Sequence, residues 1–304
     1  MHRSGTSSVT RAVNLLGFHL GSETNLMGPG ADNPEGFWEH TEICSLQARL
    51  LQQLNRRWDT PVPLPDGWQQ AEMVQPFRDE LKQLIATDFA EHATWAWKDP
   101  RSCLLMPLWR DILAELHIDL RCIFVVRNPI EVANSLARRD PISIDHAMGA
   151  WFNYCITALK DTSDIPTAFL SYERFIASWD TELRRCAGIL NLDWLDDEEP
   201  LHEAMEAFIR PDLRHNRSTC DDLADVPPPA RKLYEALTAA CARSASQGDC
   251  FERKVSELAA DFHGYARFFE ANMQGPAQPS RINRTFLRLK KSFRKRFGQQ
   301  SMQG

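Results

Sequence analysis

The sequence predicts a three-layer α/β fold, a central parallel sheet flanked by helices with a helical C-terminal part. Three observations carry it. Short apolar runs at 94–98, 121–126 and 167–172 alternate with stretches that have helical periodicity. The run 121–126, Arg-Cys-Ile-Phe-Val-Val, is continuous and β-branched, the pattern of a strand covered on both faces. Polar clusters follow the runs where the chain leaves each strand, and that is where open parallel sheets hold ligands.

The first element is residues 1–17. A small, hydroxyl-rich loop around Gly5 leads into an apolar helix with Val9, Val13, Leu15 and Leu16. Free N–H groups and the helix dipole make such a loop an anion site. Its other reading is a frayed terminus with Ser and Thr caps. A loop of this kind needs a buried strand feeding it, and that first strand is missing here, since Met1 sits one residue before His2. The expectation is a truncated or misassigned start, or another segment in the strand's place.

After a turn at Asn33-Pro-Glu-Gly36, helical spacing resumes from Thr41 to Leu54. A Pro-rich loop covers 59–68 and an amphipathic helix 70–90. The three apolar runs are followed by helices at 104–116, 130–138 and 174–190, with a further helix at 143–162. From about 198 the pattern is helical, at 199–209, 228–245 and 249–272. The α/β core thus spans about 1–195 and the helical part about 196–272 of one domain, 1–272; residues 273–304 are a linker and tail. In the tail, basic residues from Arg281 to Arg296 surround Phe286, Leu287, Leu289, Phe293 and Phe297. That composition reads either as contact with an anionic membrane surface or partner, or as a solvated tail.

Composition bounds the function. The chain has 304 residues, 43% hydrophobic and 25% charged, which is globular. A net charge of −6 argues against nucleic acid as a partner. The eight cysteines show neither CxxC nor Cys/His spacing, so buried free thiols in a reducing compartment are expected, and no metal. No apolar run reaches the roughly 18 residues of a membrane span, and no cleavable signal is recognisable. The expected location is cytoplasmic.

Three polar clusters sit at strand ends: the 3–8 loop, Lys98-Asp-Pro-Arg101, and Arg127 with Ser135 in the helix that follows. Two anion-ready loops with Lys98 and Arg101 suggest a ligand carrying phosphates at both ends. The plainer reading of Lys98 and Arg127 is salt bridging to Asp99 and Glu131.

These residues resemble the sulfotransferases that use 3′-phosphoadenosine 5′-phosphosulfate (PAPS), nearest to their bacterial and carbohydrate-type branch. His2-Arg-Ser-Gly-Thr-Ser-Ser8 is similar to the family's 5′-phosphosulfate loop, and Arg127 with Ser135 to its 3′-phosphate strand–helix. Lys98-Asp-Pro-Arg101, Asn33-Pro-Glu-Gly-Phe-Trp-Glu39 and Tyr172-Glu173 also resemble elements of this branch, and the match covers roughly 1–220. The resemblance implies a P-loop-like fold and a donor site. Arg3, Ser4, Gly5, Thr6, Ser7 and Ser8 would hold the phosphosulfate, with Arg3 stabilising charge on the bridging oxygen. Arg127 and Ser135 would hold the 3′-phosphate, and Arg214, with His215, would close over the nucleotide. Lys98 joins the catalytic set.

The family's cytosolic branch uses a His in a Lys-Thr-His segment, where this chain has Pro100. The other branches use a Glu, which makes Glu39 the preferred base, then His40, then Asp99. Glu39 also reads as a carboxylate complementing a helix dipole. The acceptor class implied is a hydroxyl on a carbohydrate or glycolipid, with peripheral membrane contact through 280–297 at the inner face. Two other readings compete. One is a P-loop kinase, disfavoured because the loop lacks the Gly-Lys-Ser/Thr ending. The other is an inactive nucleotide-binding or scaffold protein.

Overall fold

The computed structural model describes residues 1–30, 33–194, 199–209, 226–242, 251, 253 and 255–260. Its centre is a two-stranded parallel sheet, β1 (Cys122–Val126) and β2 (Thr167–Ser171), in register from Cys122 opposite Thr167 to Val126 opposite Ser171. Successive side chains of a strand point to opposite faces. Ile123, Val125, Ala168 and Leu170 accordingly join one apolar cluster, and Phe124, Val126 and Phe169 the other. Helices cover both faces. The first cluster contains Val9 and Ala12 of α1 (Thr6–Leu15), Phe175 of α7 (Tyr172–Ala177), and Leu183 and Leu190 of α8 (Trp179–Leu190). Met205 of α9 (Glu199–Phe208) completes it.

The second cluster is larger. It gathers α2 (Thr41–Gln53), α3 (Gln75–Asp88), α4 (Ser102–Glu115), α5 (Pro129–Arg139), α6 (Ile144–Asp161) and α10 (Pro228–Cys241) around Trp109, Trp151 and Tyr154. The α/β class and the helix-flanked parallel sheet are therefore as expected, with a smaller sheet.

The differences have local causes. Residues 94–98 are not a strand: they make a single parallel bridge, His19 to Trp95, with the Ala96 N–H donating to the His19 carbonyl at 2.8 Å. A lone bridge lacks the second ladder that would extend it, and the side chains turn to packing, Trp97 stacking on Trp109 with centroids 4.1 Å apart. Residues 122–125 are only partly buried, so β1 is not covered as a central strand would be; among the described residues it pairs with β2 alone. The helix expected at 174–190 is two, α7 and α8, because Ser178 leaves helical geometry (φ −157°, ψ 67°). The helix expected at 70–90 begins only at Gln75; two 3₁₀ turns, Trp68–Gln70 and Glu72–Val74, precede it, and Pro76 suits its first turn. Residues 251, 253 and 255–260 are helical, and the rest of 249–272 lies outside the described residues. No helix among the described residues is long and apolar enough to cross a membrane.

The described cysteines, 44, 103, 122, 155, 186 and 241, are free thiols. Burial pushes Cys122 and Cys155 up to about 12 and Cys186 to about 11, so these thiols are packing groups.

Candidate functional site

Six stretches far apart in sequence meet beside the N-terminus of α1. Gly5 is the residue that caps this helix, in the left-handed region at φ 84°; no side chain caps the first turn and no acidic residue lies in it. The helix start thus keeps the N–H groups and positive dipole end that favour an anion. Only glycine fits there. A Cβ on Gly5 would lie 2.2 Å from two ring atoms of Tyr172, the residue that follows β2 and opens α7. The Tyr172 hydroxyl is hydrogen-bonded with Ser8, and the Arg127 guanidinium lies 4.7 Å from the centre of the same ring. One aromatic side chain therefore touches both the loop and the end of β1.

Arg127 follows Val126 and donates from Nε to Glu131 Oε2 at 3.0 Å and from Nη1 to the Arg3 carbonyl at 3.0 Å. The Glu131 side chain is wholly buried, so the pair must stay together: a charge left alone there would be uncompensated. Arg3 has φ 62°, a conformation that costs a non-glycine residue about 1–3 kcal/mol. Its Nε donates to Ser135 Oγ at 2.9 Å, across 132 positions of sequence. The turn after β1 is fixed twice, by Asn128 Oδ1 accepting from the Ile130 N–H at 2.9 Å and by Glu173 accepting from the Asn128 N–H at 3.5 Å.

The other half is built on Lys98. Its Nζ donates to Ser7 Oγ at 3.2 Å and to Glu39 Oε1 at 2.5 Å. Both side chains of the Lys98–Glu39 pair are 10% exposed, enough to meet a ligand and little enough for the charges to be felt strongly. Beneath them, Asp99 is paired with Arg101 (Nη1 to Oδ2, 2.7 Å) and accepts from Gln47 Nε2 at 2.9 Å. Gln47 Oε1 in turn accepts from Ser102 and from Trp109 Nε1, each at 3.1 Å. Burial holds the Asp99 carboxyl above its usual range, against the opposing pull of Arg101. Cys44 Sγ donates to Glu39 Oε2 at 3.2 Å.

Of the residues singled out in the sequence, the structure brings together Arg3 with Ser135 and Arg127, and Ser7 with Lys98 and Glu39. One contact differs from the expectation. The Arg3 side chain reaches Ser135, while Lys98 is the cation against Ser7 and Glu39. His40 turns elsewhere: its Nδ1 accepts from the Ile43 N–H at 3.5 Å as the cap of α2, and its Nε2 donates to Asp88 Oδ2 at 2.8 Å. Arg214, His215 and the tail at 280–297 lie outside the described residues.

Sequence reasoning singled out Tyr172 only as part of the resemblance, read Cys44 only as a buried thiol and assigned nothing to Gln47. Nothing in their spacing announces a role, because each acts through contacts that only packing creates. His2, next to Arg3, packs edge-on against Trp58 at 4.9 Å, and among the described residues its buried Nε2 has no hydrogen-bond partner. Burial first, then the charges of Arg101, Arg139 and Lys98, hold it well below the usual histidine range and therefore neutral.

Glu39, Cys44 and Asp99 bring two carboxylates and a thiol within 4.8 Å of one another. Lys98 and Arg101 already balance those two carboxylates, which leaves little net negative charge to draw in a cation. Comparison with protein-family models, with curated proteins and with solved structures finds no match.

Proposed function

We propose that this chain is a sulfotransferase that moves a sulfuryl group from PAPS to a hydroxyl of a carbohydrate or glycolipid. One observation carries the reading. Two clusters that each hold a cation meet at the start of α1: Arg3 and Arg127 with Ser135, and Lys98 with Ser7 and its ion-pair partner Glu39. A donor with a 3′-phosphate and a 5′-phosphosulfate has anionic groups at two ends and suits such a pair. Arg127, Arg3 and Ser135 bind the 3′-phosphate in this reading. The N–H groups of Gly5 to Ser8, with the hydroxyls of Ser4, Thr6, Ser7 and Ser8, hold the phosphosulfate.

The chemistry is a direct displacement at sulfur. The acceptor oxygen forms a bond to sulfur as the bond from sulfur to the bridging phosphate oxygen breaks. That electron pair leaves with adenosine 3′,5′-bisphosphate, and Glu39 takes the proton from the acceptor hydroxyl. Lys98 faces the charge that grows on the leaving oxygen, so positioning and electrostatics do most of the catalysis. Lys98 pairs with the ionised Glu39 carboxylate, the form that accepts a proton, and protonation of Glu39 frees the ammonium to face the leaving oxygen. The reading also assigns the tail at 280–297 to contact with an anionic membrane surface.

The test is transfer of labelled sulfate from PAPS to a panel of cell-envelope glycans. Label on a glycan, lost in Lys98→Ala, supports the assignment. Phosphoryl transfer from ATP with Mg²⁺ in place of sulfuryl transfer overturns it.

A further inference from the structure

Glu39 is held at three points, two of them on its carboxylate. Its main-chain carbonyl accepts from the Met27 N–H at 2.7 Å, its Oε1 from Lys98, and its Oε2 from the Cys44 thiol at 3.2 Å. Trp38, just before it, sits in the left-handed region at φ 55°, held by its indole N–H donating to the Glu35 carbonyl at 2.9 Å and by the Arg11 guanidinium 4.3 Å from its ring. This strained backbone brings Glu39 back over α2, where Cys44 occupies the first turn and is 5% exposed.

A bond to Lys98 alone would leave the carboxylate free to rotate about that contact. A second donor on the other oxygen fixes its plane. We infer that Cys44 is a positioning residue for Glu39, holding the base so that Oε1 shares Lys98 with Ser7; the inference rests on the sulfotransferase reading of this site. The charged groups around the pair are Lys98, Asp99 and Arg101. Burial, with Asp99 and Glu39 beside it, pushes the Cys44 thiol far up, against the weaker pull of Arg101, so it remains a protonated donor. A cysteine kept as thiol between two carboxylates, each already paired with a cation, works as a hydrogen-bond donor to Glu39. Serine can replace it in that role and alanine cannot.

Two measurements on the full chain test this. In steady-state kinetics Cys44→Ala should lower kcat about ten-fold, corresponding to about 1.4 kcal/mol, with bisphosphate affinity unchanged, and Cys44→Ser should restore most of it. Unchanged kcat in Cys44→Ala, or a serine variant as slow as the alanine one, overturns the role. Independently of activity, the S–H stretching band that Cys44→Ala removes from the infrared difference spectrum should move to higher frequency in Glu39→Gln. A band that stays put overturns the contact itself. A band that moves, in a protein that transfers no sulfuryl group, overturns the reading of the site and the catalytic role with it, while the contact stands.

Discussion

Glu39 has one bond to a cation and one to a thiol, so its carboxylate is not buried as a bare charge, and the proposed reaction makes it the base. Glu39→Gln keeps the shape and removes the basic oxygen. Turnover should fall by roughly 10²–10⁴ while bisphosphate affinity is retained; full turnover would remove Glu39 as the base. Gly5 makes a second demand. Gly5→Ala places a methyl group against the Tyr172 ring at 2.2 Å and strains a backbone at φ 84°. It should weaken bisphosphate binding, and Tyr172→Ala in the same chain should recover part of the loss, because the clash goes and the strain stays. A double variant as poor as Gly5→Ala would show that the ring contact is not what fixes the loop. The meeting of the Gly5 loop with the end of β1 was legible from residues alone: a Gly between small hydroxyl residues ahead of an apolar helix and an Arg at a strand end mark positions that a parallel sheet brings together. The pairing of Lys98 with Glu39 was not legible: 59 positions separate them, and only tertiary packing joins them.

Among the elements, α6 anchors the chain that follows α2. It holds the loop at 58–62 with three side chains: Tyr154 donates to the Trp58 carbonyl at 2.8 Å, Asn153 to those of Thr60 and Val62 at 3.1 Å, and His146 to that of Asp59 at 2.7 Å. His146 also faces the Asp59 carboxylate at 3.5 Å. Burial opposes ionisation of Asp59, but its bonds to His146 and Arg57 outweigh that and bring its pKa down to about 2. Its contribution to stability, on the order of 2 kcal/mol, is present above about pH 4 and fades as pH falls toward 2. His146 is raised by the hydrogen bond to Asp59, against its burial, so its contribution is full below about pH 6.5 and is lost as pH rises through its folded value. The pair therefore works best between about pH 4 and 6.5. Denaturant midpoints should show His146→Gln destabilised more at about pH 5 than at about pH 8; an equal loss at both would contradict the pairing. The helices themselves follow from periodicity: the expected starts at 130 and 143 fall within one residue of Pro129 and Ile144, where the structure shows Asn128 and Ser143 as caps. The run at 94–98 shows where periodicity fails. An apolar sequence with two Trp residues becomes a ladder only if a neighbouring strand continues the pairing, and His19 supplies a single bridge.

Across the whole molecule, the two apolar clusters lie on opposite faces of the sheet, and the site forms where the chain leaves its parallel strands. Arg127 leaves β1 and Tyr172 leaves β2. The 2–5 loop sits against both through Arg3 and Gly5, and Lys98 closes the opposite side. Arg3, Arg127 and Ser135 thus converge with Ser7, Lys98 and Glu39, and the proposed donor site stands or falls with that convergence. The direct measurement is a calorimetric titration of the full chain with adenosine 3′,5′-bisphosphate and, separately, with ATP and Mg²⁺. Arg127→Ala paired with Glu131→Gln serves as control, since it removes the buried ion pair as a unit. Tight binding of the bisphosphate, weaker binding of ATP with Mg²⁺, and loss of the bisphosphate signal in the paired variant are the expected results of a donor site there. Tighter binding of ATP with Mg²⁺, binding of neither nucleotide, or bisphosphate binding unchanged in that variant, would contradict it.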